Sequence, residues 1–231
     1  TYHPEHAENL VPCPYCSRGI SNEVTEGGHR FPDGREVCGI CLESAVLEPE
    51  QVREVAMEIR GYLRDLGIDI DPRTFPIELV GRDQLKSIRG LDSNVEGYTK
   101  YSVSNQYRSE GGSRSTLRSS LSTVHVYVLT GLPRMRFVGV LTHELMHAWL
   151  SSQGLNNTKP EFLEGSCNYV AYRVLENYAG KEAAYERLAL ESNTDPEYGL
   201  GFRRVLTMVQ KKGHRHWLQR IQQEQDFPRG F

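Results

Sequence analysis

His143-Glu144-Leu145-Met146-His147 sets two imidazoles four residues apart, with a carboxylate directly after the first. Residues i and i+4 share a helix face, so both rings can reach one ion, and Glu144 projects beside it. Ring nitrogens and carboxylate oxygens suit zinc. A zinc with one open position activates water and polarises a carbonyl, and a neighbouring carboxylate can take the water's proton. The pattern therefore predicts amide hydrolysis, with His143 and His147 as metal ligands and Glu144 as general base. So short a motif also arises by chance, and its surroundings decide. It lies in a helical stretch from Pro133 to Gln153, followed by Gly154, with Val138, Leu141, Leu145 and Trp149 as an apolar stripe.

A catalytic zinc needs a third protein ligand. The metzincin extension would require Gly at 150 and His at 153; the chain has Leu150 and Gln153. The next helix offers Glu161 and Glu164. Thr158-Lys159-Pro160-Glu161 reads as a capping box, which gives Glu161 a structural task. Glu164 flanks an apolar face of Leu163, Cys167, Val170, Ala171 and Val174, and is the expected third ligand, with Glu161 the alternative. Asn168, one turn on, is either a hydrogen-bond partner for a ligating histidine or a solvent-facing residue. Cys167 reads as a small buried residue. Tyr169, Tyr172, Tyr198, His214 and His216 are the candidates for stabilising an oxyanion. The strand at 124–129 is expected to offer its edge to an extended substrate.

Cys13-x2-Cys16 and Cys38-x2-Cys41, with 21 residues between the pairs, have the spacing of a closed four-thiolate zinc site, which is structural. His3 and His6 read either as half of another zinc site or as solvated residues of a frayed terminus.

The elements that must position these groups fall into three regions. Residues 1–47 are rich in Cys, His, Gly and Pro and too poor in apolar residues for a core of their own. A helix follows from Pro49 to Leu66, with Val52, Val55, Ala56, Ile59, Leu63 and Leu66 on one face and Gly67 as its stop. Residues 68–132 read as strand and loop: strands at 77–80, 97–103 and 124–129, and a polar surface loop over 106–120. Helices are expected over 133–153, 159–178, 181–191 and 201–224, the last broken at Gly213. Strands first and helices after give an α+β domain, expected to keep its own core from about residue 68.

Over 231 residues, 38% hydrophobic and 25% charged composition marks a folded chain and not a disordered one. A net charge of −3 gives no basic footprint for nucleic acid. The longest uncharged stretch, Ser119 to Pro133, is too short to span a bilayer, so no membrane is expected. The first residues carry no signal-peptide pattern, and the expected location is cytoplasmic.

These residues resemble the C-terminal part of the plant ubiquitin-activated LIM-domain peptidases that limit organ growth. The resembling stretches, in order, are Asp33-Gly34-Arg35 through Cys38 and Cys41 to Ala45, then Gly131-Leu132-Pro133-Arg134, His143 to Leu150, Pro160-Glu161 with Glu164 to Cys167, and Tyr198 to Arg203. The resemblance covers nearly the whole chain. It implies a gluzincin-type zinc metallopeptidase with His143, His147 and Glu164 as ligands and a LIM-like zinc module before it. It also implies limited cleavage of regulatory proteins, promoted by ubiquitination. His3 and His6 fall where that family has a Cys-x2-His pair. The sequence departs from the family in showing no ubiquitin-interacting helix and no complete first LIM domain.

The resulting expectation is a LIM-like module over 1–47 and a zincin-like metallopeptidase domain over 48–231. It would hold one catalytic and at least one structural zinc, act on protein or peptide substrates, and have ubiquitin or ubiquitinated proteins as candidate partners. The competing expectation is a LIM-like interaction module with a degenerate, non-catalytic peptidase domain; intact His143, Glu144 and His147 argue against it.

Overall fold

The computed structural model describes residues 10–90, 94–110, 114–155 and 158–228, without the side chains of 105–121. His3 and His6 lie outside the described residues. The chain is a mixed α+β structure. Its main sheet has the order β4-β6-β5: β4 (Ile77–Val80) runs parallel to β6 (Arg114–Leu129), and β5 (Gly97–Glu110) runs antiparallel on the other side. Val126 and Val128 of β6 are fully buried, as β-branched residues on one strand face should be. Of the loop expected over 106–120, residues 106–110 and 114–120 instead lie in the paired strands β5 and β6, with a register shift between Gln106 and Tyr107. Backbone pairing satisfies the peptide groups of a polar segment, so strands form there without the alternation that betrays a buried face.

Helix α3 (Pro49–Asp65) buries five of the six predicted apolar positions, leaves the sixth, Leu66, half-buried at its C-cap, starts with a Glu48/Gln51 capping box and stops before Gly67 at φ +75°. A short helix, α4 (Arg82–Arg89), lies where the sequence showed no apolar period. The C-terminal half is helical: α5 (Arg134–Ser152), α6 (Pro160–Leu175), α7 (Lys181–Ser192), a π-helical turn at Pro196–Leu200, α8 (Gly201–Lys212) and α9 (His214–Gln223). Gly213 separates the last two, as expected. The capping box at Thr158 does not form. The α6 N-cap is Lys159 with no side-chain cap, and the Thr158 hydroxyl donates to Leu155 O at 3.3 Å. Gly165 of α6 and Gly201 of α8 cross so closely that a Cβ on either would run into backbone of the other helix.

The cysteine-rich segment contains α1 (Asn22–Thr25), the hairpin β1 (Gly28–Arg30)–β2 (Glu36–Cys38), and α2 (Gly39–Glu43). It is stitched to the rest of the chain. β3 (Ala45–Val46) pairs with β7 (Leu132–Pro133), immediately before α5. The Arg134 amide donates to Ser44 O at 2.9 Å, and Arg35 Nη2 donates to Thr130 O at 3.0 Å. Asp33 Oδ2 accepts from the Arg82 amide, 3.2 Å away, at the start of α4. The buried core runs without a break from Cys13 to Phe227.

Candidate active site

Helix α5 presents His143 and His147 one turn apart, and α6 brings Glu164 against them. Glu164 Oε2 lies 3.1 Å from His143 Nε2 and 3.3 Å from His147 Nε2, and the two ring nitrogens are 3.1 Å apart. Ligand atoms bonded tetrahedrally to one zinc at 2.0–2.1 Å stand about 3.3 Å from each other. Glu164 Oε2 is buried and forms no properly directed hydrogen bond despite its two imidazole neighbours. The three atoms face a common point instead of each other, which fits a cation between them. Burial alone would raise the Glu164 carboxyl, but the His143 and His147 rings set against it hold it well below the usual range. His143 is raised: burial opposes its charged form, and Glu164 and Glu144 outweigh burial.

Asn168 settles which His143 nitrogen faces that point. Its Nδ2 donates to Tyr198 O at 2.8 Å, which leaves Oδ1 toward His143 Nδ1, also at 2.8 Å. Nδ1 therefore carries the proton, and Nε2 keeps its lone pair for a metal. Of the two readings of Asn168, the structure supports the partnered one.

The ring of Tyr198 stacks on His143 at 5.9 Å between centroids, 22° from parallel. The π-helical turn holds it there. Asp195 accepts from the Glu197 and Tyr198 amides, both at 2.9 Å, and Gly199 presses on the backbone of Asn193. The stretch Tyr198 to Arg203 thus serves to place one tyrosine. Burial, then the nearby Glu164 charge, pushes its phenol far up, so it remains a donor.

Glu144 points to the other side, toward β5. The Thr99 hydroxyl sits 2.7 Å from Glu144 Oε2 and 2.9 Å from the Glu144 carbonyl oxygen, with one proton to give. A Cβ on Gly97 would come within 2.7 Å of Glu144 Oε1 and 2.8 Å of Val140 Cγ1, so only glycine lets the strand approach this far. No local pattern marks Thr99 or Gly97 as site residues, since they meet Glu144 only through the packing of β5 on α5. The strand edge at the site is likewise that of β5. Over 126–129, β6 has β4 on one side and β5 on the other, so the expected edge at 124–129 is taken.

The remaining candidates separate. A cavity of about 590 Å³ is lined by His143, Glu144, His147, Glu164, Asn168 and Tyr198, among others. Tyr169, Tyr172, His214 and His216 do not line it. Tyr169 bonds His214 Nδ1 at 2.9 Å, and Tyr172 donates to Glu191 at 2.8 Å. Glu161 forms an ion pair with Arg204 and turns away from the histidines. Cys167 Sγ comes within 4.8 Å of the two ring nitrogens, but burial lifts its thiol far above the ordinary range, whereas Glu164 offers an ionised oxygen.

The second cluster is the cysteine one. The four sulfurs of Cys13, Cys16, Cys38 and Cys41 lie within 4.8 Å of one another, with Cys16 and Cys38 at 3.7 Å. Zinc–sulfur bonds of about 2.3 Å in a tetrahedron put sulfurs about 3.8 Å apart. None of these cysteines is in a disulfide. Burial works against a Cys13 thiolate, but backbone N–H donors from Cys38, Tyr15 and Cys16 bring it down to about 7. The set is suited to structural zinc.

Residues 93–195 match the family described as "DA1-like: Protein DA1". The curated relatives agree. The chain is 26% identical over 98% of its length to Protein DA1 of Arabidopsis thaliana, covering 51% of that protein. It is 30% identical over 76% of its length to Protein DA1-related 2 of the same plant, covering 37% of it. It is 27% identical over 85% of its length to the LIM domain-containing protein HDR3 of Oryza sativa subsp. japonica, covering 50%. The chain resembles the DA1 family. It spans about half the length of Protein DA1 and of HDR3. No solved structure matches. Among the described residues, no helix is long and apolar enough to cross a membrane.

Proposed function

We propose that the chain is a zinc-dependent peptidase with a zincin-like catalytic domain, and that it makes limited cuts in protein or peptide substrates. The observation that carries this reading is the convergence of His143 Nε2, His147 Nε2 and Glu164 Oε2, 3.1–3.3 Å apart, at the wall of an open cavity with Glu144 beside them. A zinc held there would supply Lewis acidity toward the scissile carbonyl and the attacking water. Glu144 takes the proton from that water and hands it to the departing amine nitrogen. The Thr99 hydroxyl steadies the Glu144 carboxylate. Tyr198, which lines the cavity as a protonated phenol, is the donor suited to the developing oxyanion. The edge of β5 can hold an extended peptide by backbone pairing.

The resemblance to the DA1 family extends the proposal to promotion by ubiquitin, tested by comparing turnover with and without ubiquitin attached. The basic experiment is purified protein with zinc quantified, incubated with a peptide mixture, beside Glu144→Gln and Glu164→Gln. The first variant should keep its metal and lose cleavage, and the second should lose metal from this site. Metal-replete wild-type protein that cuts no peptide or protein in the mixture would refute the reading.

A further inference from the structure

The cavity does not end at the ligating residues. Its lining continues along α5 toward the N-terminus through Val140, Gly139 and Arg136, and along α6 to Leu175, with α7 closing the far side through Leu190. Seven residues of helix separate His143 from Arg136, about 10 Å along the axis, so the recess can take a whole side chain. Val140, Ala171, Leu175 and Leu190 give it an aliphatic wall. Gly139 keeps it open: a Cβ built there meets only Leu175 Cδ1 within 4 Å, at 3.6 Å, so a larger residue would grow into the space. The floor is a charge triad. Arg136 Nε lies 2.6 Å from Glu96 and Nη1 lies 3.0 Å from Glu186, so one guanidinium ties together β5's approach, α5 and α7.

We propose that this recess, on the peptidase reading of the site, is the specificity pocket for the substrate side chain flanking the scissile bond, and that it takes an uncharged aliphatic side chain such as Leu or Met. Charge at its end is disfavoured with either sign. An incoming carboxylate meets Glu96 and Glu186, and an incoming cation meets Arg136, which already occupies both carboxylates. Any newcomer would give up its hydration for an opposed neighbour. An aliphatic side chain gains from leaving water and opposes nothing. Gly139 sets the depth available to it.

The test is cleavage-site profiling on a mixed peptide library by mass spectrometry, with wild type, Glu144→Gln, Gly139→Ala and Gly139→Leu. Cuts that depend on Glu144 should be enriched in Leu and Met on one side of the bond. Gly139→Leu should shift that position to Ala or Gly, with the ratio of kcat/KM for a Leu peptide to that for an Ala peptide falling roughly tenfold or more. Gly139→Ala should lie between them. Alanine also favours the helix more than glycine does, so this variant carries the test if the leucine one folds poorly. Glu144-dependent cleavage with an unchanged preference in both variants would remove the pocket and leave the peptidase reading standing. Enrichment of Asp, Glu, Lys or Arg at the flank would likewise overturn the assignment. An absence of any Glu144-dependent cleavage would take both down together.

Discussion

The cysteine cluster and the histidine–glutamate cluster both gather ligand atoms around a point, and they do so with opposite materials. The four cysteines come from loops and short elements that hold few apolar residues, so the ligands themselves must supply cohesion. The histidines and Glu164 stand on α5 and α6, whose buried faces carry Phe137, Leu141, Leu145, Phe162, Val170 and Val174 at 0% exposure. There the packing precedes the ligands, and a ligand set can stay incomplete on the side facing the cavity. A site built on loops is closed because its metal must contribute folding free energy; a site built on packed helices can stay open for chemistry.

The largest expected effect breaks the first kind of site. Cys38→Ser removes one of four thiolates from a cluster in which Cys13, Cys38 and Cys41 are buried and Cys16 is half-buried. Structural zinc in small modules is worth about 10–16 kcal/mol of binding free energy, and the module has little else to hold it. Hydrogen exchange should show protection lost from residues 10–47. The loss should also spread to the start of α5, because Ser44 O accepts from the Arg134 amide and β3 pairs with β7. Turnover should fall with it. If α5 keeps full protection and activity while the cysteine segment unfolds, the two regions are independent units and the stitching described above is energetically idle.

Next in size is Glu144→Gln, which leaves both ligand sets whole. Loss of a positioned proton acceptor lowers turnover by about 10²–10⁴-fold. Zinc content and thermal stability should match wild type, as measured by metal analysis and calorimetry. A fall in metal content would recast Glu144 as a ligand.

Asn168→Ala should follow, with roughly a 10–100-fold loss in metal affinity or activity, the usual effect of removing the group that orients a ligating histidine. The cysteine cluster should keep its metal, which a competition titration with a chromogenic chelator can follow site by site. Equal weakening of both clusters would point to general destabilisation and not to the Nδ1 hydrogen bond.

What the sequence made legible follows the same division. His143, Glu144 and His147 were readable because helical periodicity alone brings i and i+4 together, and the cysteine knuckles because their spacing is local. Glu164 was within reach because a carboxylate beside a buried face demands a partner. Thr99, Gly97 and the Arg136–Glu96–Glu186 triad were not, since each meets its neighbours only when β5 and α7 pack on α5, and no local pattern records that docking. The strands over 106–110 and 114–120 are not legible because the sequence there is polar and does not alternate, and backbone pairing needs no alternation. The Thr158 cap failed for the converse reason: the local pattern was right, but other contacts took both members. The Thr158 hydroxyl lies 3.3 Å from Leu155 O and 3.4 Å from Gln225 Oε1, and Glu161 pairs with Arg204.

That last pair gives the finest contrast. Glu161 and Glu164 are one turn apart on α6, yet one faces the histidines with its side chain 14% exposed, and the other faces Arg204 at 38%. An ion pair this exposed is worth at most about 1 kcal/mol and is weakened further by salt. Glu161→Gln should therefore lower the melting temperature by no more than about 2–4 °C at low ionic strength. The difference should shrink as salt is added, because only the screened Coulomb part of the contact is lost and the amide can still accept from Arg204. Metal content and turnover should be unchanged. Should Glu161→Gln deplete the metal while Glu164→Gln spares it, the roles of the two carboxylates are reversed and α6 presents the other face to the cavity.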